Sequence, residues 1–148
     1  MKEHSTKEIQ KLFVKTMAAL GCICTEDEEV ENRFWFTYQG EDFYADIENA
    51  WVRLIYGFWK NIDMYDIDVF PRLREAINLA NQKCNVTTFY SMDEEEEIVY
   101  VHSKSSFLFL PEIPDVKLFL YTQLGFFFKA RQYVELDFDR RNRVFMDD

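Results

Sequence analysis

Residues 74–103 read REAINLANQKCNVTTFYSMDEEEEIVYVHS, and the change of period inside this stretch decides the fold. Up to Cys84 the apolar residues recur at helical spacing. Val69, Leu73, Ile77, Ala80 and Cys84 share one face, and Pro71 falls in the first turn, where its missing N–H is tolerated. This predicts a helix over about residues 67–84. Directly after it, VTTFYSM and EIVYVHSKSS turn to β-branched and aromatic residues, joined by the charged turn DEEE that a hairpin presents to water. A helix that runs straight into an antiparallel hairpin belongs to α+β folds and not to βαβ winding.

Working back toward the amino terminus, Ser5 and Glu8 make a capping-box pattern. Ile9, Leu12, Phe13, Met17 and Leu20 follow at helical spacing until Gly21, which predicts a one-sided helix over 6–20. CICTEDEEVENRFWFTYQG, residues 22–40, reads as a short extended segment, an acidic turn and a strand with Phe34, Phe36 and Tyr38 on one face and Trp35 and Thr37 on the other. Gln39 to Asp42 form the next turn. Phe43, Ala45 and Ile47 alternate again. In WVRLIYGFW, residues 51–59, Trp51, Arg53, Ile55 and Gly57 oppose Val52, Leu54, Tyr56 and Phe58.

Toward the carboxyl terminus, FLFLPEIP leads off the sheet and Pro114 with Asp115 suits a helix start. A long helix is expected from Val116 to about Asp139, with RRNRVFMDD as a loose tail. The expected order is helix, three-stranded antiparallel meander, helix, β-hairpin of two or three strands, and long C-terminal helix, in a single domain over 1–148 without internal repeats.

Composition restricts the function. A chain of 148 residues with 48% hydrophobic and 18% aromatic residues can bury a core without metal or disulfide support. With 27 acidic against 17 basic side chains its net charge is −10, which repels phosphates, so the expected partner is another protein and not nucleic acid. The opening MKEHSTKEIQKL lacks the apolar core of a signal peptide and nothing approaches a membrane span, so the expected location is the cytosol, away from membranes. Cys22, Cys24 and Cys84 stand in no metal-ligand or redox spacing and read as buried reduced thiols.

Catalytic signals are missing as well. His4 and His102 have no nucleophile elbow near them, and Gly21, Gly40, Gly57 and Gly125 are too scattered for a phosphate loop, so no catalytic, cofactor or metal residues are expected. The acidic runs Glu26 to Glu31 and Asp93 to Glu97 lack the alternating ligands and central glycine of a calcium loop and read as solvated turns. Arg140, Arg141 and Arg143 beside Asp137, Asp139, Asp147 and Asp148 read as a charge-paired tail.

The aromatic residues are the remaining candidates. Phe119, Phe126, Phe127, Phe128, Tyr133 and Phe138 surround more than one face of the third helix, which points either to a partner contact or to a fold that covers both faces itself. Trp35, Trp51 and Trp59 lie on strands beside Tyr38, Tyr44 and Tyr56, as a binding platform or as the core and rim of the sheet. Asn78 and Asn81, one turn apart, either cap a strand's open backbone groups or hold a peptide.

The order of elements, joined to residues 74–103 with the N-x-x-N spacing of Asn78 and Asn81 ahead of the strand VTTFY, resembles the YbjN-like proteins, whose fold is shared with the type III secretion chaperones. The resemblance implies a non-enzymatic fold that forms homodimers and offers sheet and helix surfaces to other chains, with relatives labelled as sensory transduction regulators. It brings no catalytic residues. The aromatic excess, 15 Phe and 8 Tyr, departs from the usual pattern, so the family's own surfaces are not carried over. The resulting expectation is a chaperone-like or regulatory protein-binding module acting as a homodimer; the alternative is a small-molecule sensor using a cavity between sheet and helices.

Overall fold

The computed structural model describes residues 3–147, the last three by backbone alone. Three helices and six strands are found among them: α1 (Thr6–Ala19), β1 (Thr25–Glu26), β2 (Arg33–Tyr38), β3 (Glu41–Glu48), β4 (Trp51–Asp63), α2 (Val69–Lys83), β5 (Thr87–Asp93), β6 (Ile98–Leu108) and α3 (Val116–Asp147). The strands form one antiparallel sheet in the order β1-β2-β3-β4-β6-β5, which makes an α+β fold.

The chain gathers into two compact units, Met1–Tyr56 with Lys104–Leu124 and Gly57–Ser103 with Gly125–Asp148. In the first, the Ser5 side chain accepts the Glu8 N–H and starts α1 as the capping box requires. The meander follows with Phe36 opposite Phe43 and Phe43 opposite Tyr56. The turn between β2 and β3 is only Gln39 and Gly40, both at positive φ, so Glu41 and Asp42 belong to β3 and not to the turn expected there. The core of this unit is a run of rings. Phe43 stacks between Phe36 and Tyr56, with centroids at 5.5 and 4.8 Å, and Phe13 of α1 meets Phe36 and Phe109 at 6.0 Å.

The second unit is held differently. Leu73, Ala76, Ile77 and Ala80 bury one face of α2, and Phe127, Ala130, Val134 and Phe138 bury one stripe of α3. Polar groups lie buried among them. The Trp59 indole donates to Ser103 Oγ at 3.1 Å, which also meets Thr88 Oγ1 at 3.1 Å. Asn81 joins the backbone of Thr88 at both its groups: Oδ1 accepts the N–H at 2.8 Å and Nδ2 donates to the C=O at 2.9 Å.

β4 departs from simple alternation. Val52, Leu54 and Tyr56 are buried, but the next buried residue is Trp59 and not Phe58. Phe58 takes φ 55°, a conformation bulky residues rarely adopt, and the extra residue shifts the phase of the strand as a bulge does. Its ring ends 68% exposed instead of beside Tyr56 as expected. α3 also continues through 140–147, where a loose tail was expected. Arg140 and Arg141 bind Asp137 one turn back, and Arg141 reaches Glu75 of α2.

Candidate protein-binding surfaces

In the first unit α1 packs through Phe13 on the face of the sheet that carries Phe36, and Phe119 at the start of α3 packs on Phe107 and Phe109. The opposite face of the meander is more open. Register places its side chains in three rows: Trp35, Tyr44 and Ile55; Arg33, Asp46 and Arg53; Glu48 and Trp51. The middle row is a polar strut. Arg33 donates to both carboxylate oxygens of Asp46 at 2.7 and 2.9 Å, and Arg53 donates to Oδ2 at 3.2 Å. These two guanidinium groups hold the Asp46 carboxyl below the usual carboxylate range against the opposing effect of burial.

The outer rows carry the indoles. Trp35 is 40% exposed and lies 5.0 Å from Tyr44, over which the Arg33 guanidinium sits at 3.9 Å. Asp27 fixes the indole from the neighbouring acidic turn by accepting its Nε1–H at 2.7 Å, while its other oxygen accepts the Glu29 and Val30 N–H groups. The acidic run is thus the end of β1 at Glu26 followed by a hydrogen-bonded turn, Asp27 to Glu31, that orients a tryptophan. Trp51, 55% exposed, borders a depression of about 480 Å³ with Asp46, Glu48, Arg53 and Ser106.

The second unit has its own uncovered cluster, around His102. The Phe58 N–H donates to His102 Nδ1 at 2.9 Å, and Nε2 lies 2.7 Å from Ser91 Oγ. A nitrogen that accepts carries no proton, so the neutral ring holds its proton on Nε2 and donates it to Ser91. This is the reverse of what a general base for a serine nucleophile requires. Burial keeps the imidazole pKa below its ordinary 6.5. Phe58 and Phe89 pack on the ring at 4.6 and 5.1 Å, and Phe58 also meets Tyr100 at 5.0 Å.

The sequence candidates therefore divide. Trp35 and Trp51 come together on one open face. Trp59, Phe127 and Phe138 are buried within the second unit, so they present no surface; Phe126, Phe128 and Tyr133 are half-buried there, as is Phe119 in the first. Asn78 is exposed. Reading the sequence missed Phe58, Tyr100 and the Arg33–Asp46–Arg53 strut, although opposite charges at facing positions of adjacent strands are a signal that could have found the strut. The cysteines are free, and burial pushes all three thiols up, Cys24 to about 11 with help from Cys22. Such thiols are poor nucleophiles. Among the described residues no three His, Cys, Asp or Glu side chains gather as metal ligands, and no helix is long and apolar enough to cross a membrane.

Fold and surfaces together define an α+β protein with a six-stranded antiparallel sheet and three helices. A solved structure is similar to it, that of an uncharacterized protein from Methanothermobacter thermautotrophicus, with TM-score 0.62 and 12% identity over 90% of this chain and 98% of that one. At that identity the likeness speaks for the fold alone. No protein-family model matches the chain, and no curated protein does.

Proposed function

We propose that this chain is a non-enzymatic protein-binding module, chaperone-like or regulatory, that acts as a cytosolic homodimer. The observation that carries the reading is the open face of the first unit, where Trp35 and Trp51 stand in water on either side of the Arg33–Asp46–Arg53 strut. Covering a large aromatic side chain is worth roughly 2–3 kcal/mol, and rigid aromatic groups ringed by hydrogen-bonded charges have the make-up of an interface hot spot. Membership of the YbjN-like family, with its secretion-chaperone fold, is part of the same proposal. The order of elements and the Asn81 bond at the junction of α2 and β5 support it.

The test uses the full chain as bait in lysate of the source cell, beside the double variant Trp35→Ser, Trp51→Ser. A protein enriched on the wild type and at least tenfold less on a variant with unchanged circular dichroism is the expected result. Equal capture by both, or no enrichment on either, removes this face as the binding surface.

A second reading, a small-molecule sensor, draws on one cleft. Beside α1 in the first unit lies a space of about 350 Å³ lined by Lys7, Lys11, Lys15, Gln10, Glu26, Val14, Ala18 and Phe34. Apolar side chains beside three lysines and a single glutamate suit an anionic amphiphile such as a fatty acid. A saturable rise in melting temperature with laurate, lost in Lys11→Glu, would favour it over the protein-binding reading.

A further inference from the structure

The sheet ends at β5, and the outer edge of that strand is only partly closed. In an antiparallel strand the N–H and C=O of one residue point to the same side, and successive residues alternate. Both groups of Thr88 are taken by Asn81, so they point away from β6, and those of Tyr90 and Met92 point the same way. None of the described residues bonds these outward groups. Their side chains are 36% and 49% exposed. From Thr87 to Met92 the strand carries no charge, proline or positive φ, the usual devices that stop an edge from pairing. The other edge of the sheet, β1, is only two residues long.

We infer that this edge is where two copies of the chain pair, strand β5 against strand β5, antiparallel about a twofold axis at Ser91. The inference rests on the homodimer reading above and supplies its surface. The occupant is argued from register and from charge. With Thr88 already satisfied, each copy offers two open residues. They match each other in one antiparallel register, in which Tyr90 of one copy exchanges both hydrogen bonds with Met92 of the second. That makes four bonds across the axis and leaves Asn81 undisturbed. A register centred on Tyr90 would instead need the groups that Asn81 occupies.

Charge selects the same direction. One end of β5 leads into the acidic turn Asp93 to Glu97; the other follows Lys83, in the last turn of α2, whose ammonium lies 5.7 Å from the Tyr133 ring centre. Antiparallel pairing sets the acidic end of one copy near the Lys83 end of the second, whereas parallel pairing would set two acidic turns side by side in a chain of net charge −10. On the face where Phe70 meets Tyr90 at 5.3 Å, Tyr90 gains the thioether of the second copy's Met92 as a neighbour.

The experiment is light scattering with size exclusion on the full chain over a range of concentrations, for the wild type, Met92→Lys and Ser91→Cys. The expected results are a wild-type dimer and a Met92→Lys form whose dissociation constant rises at least tenfold with its circular dichroism unchanged. Ser91→Cys should oxidise to a covalent dimer whose bridge peptide mass spectrometry assigns to position 91 in both chains, apart from Cys22, Cys24 and Cys84. A wild-type monomer throughout overturns the homodimer reading and this inference with it. A dimer indifferent to Met92→Lys and without a 91–91 bridge overturns the β5 edge and leaves the homodimer. A dimer weakened by Met92→Lys but unbridged in Ser91→Cys overturns the register.

Discussion

The two units of the chain solve one problem, attaching helices to a sheet, with different chemistry. In the first, rings do it: Phe13, Phe36, Phe43, Tyr56 and Phe109 form a dry cluster whose stability comes from removed apolar surface. In the second, the apolar stripe of α2 is supplemented by bonds from Asn81, Trp59, Ser103, Thr88 and His102 that tie neighbouring elements atom to atom. A ring cluster tolerates small shifts and gives total stability. A network of directional bonds adds less energy but fixes one register, because each unmatched buried group costs free energy.

The largest test of this contrast is Phe43→Ala. Phe43 is fully buried between two stacked rings, so the change should cost about 3–5 kcal/mol in denaturant unfolding. A cost under about 1 kcal/mol would deny the ring cluster its role. Asn81→Ala should cost less, about 1–3 kcal/mol, because it strips both partners from the Thr88 backbone. Its clearer effect is local: amide exchange along β5 should accelerate well before that of β3. Uniform acceleration across both strands would mean that the bond holds no particular register.

The smallest effect concerns the two histidines, one in each unit. His4 is bound by Glu112 and Glu8, and these hydrogen bonds raise its pKa above 6.5, so its contribution is complete below that pH and fades as pH climbs through the raised value. His102 is the reverse. Burial lowers its pKa, so its contribution is complete above 6.5 and is lost as pH falls, when the unfolded chain takes a proton that the folded ring resists. Unfolding free energies at several pH values should therefore show His102→Gln flattening the profile below 6.5 and His4→Gln flattening it above 6.5. Two variants with the same sign of change would contradict the assignment.

Much of the fold was legible because it rests on short-range period. α1, α2, β2 and β3 follow spacings visible within ten residues of sequence, and the Ser5 side chain caps α1 at the Glu8 N–H. The errors came where a distant residue decides. Phe58 leaves the alternation of β4 while its N–H is bonded to His102, 44 positions away, and Trp59 is buried in consequence. A run of three phenylalanines on α3 cannot share one face at about 100° per residue, so Phe127 entered the core while Phe126 and Phe128 flank it. The charges of 140–143 were readable as pairing, but pairing one turn back along a helix looks the same in sequence as pairing in a tail. Of the candidate surface, the indoles were visible and the strut was not noticed, since register had to be known before Arg33, Asp46 and Arg53 became neighbours.

The bulge at Phe58 acts on β4 as a frameshift acts on a message. Every side chain downstream is read in the other phase, and the aromatic at 59 becomes an inward letter where an uninterrupted strand would have spelled it outward. Straightening the strand at Phe58 would keep every residue, yet it would garble the text after it, turning Trp59 to the water and pulling Lys60 toward the hydrocarbon. A single backbone angle of 55° thus works as punctuation for five residues of strand.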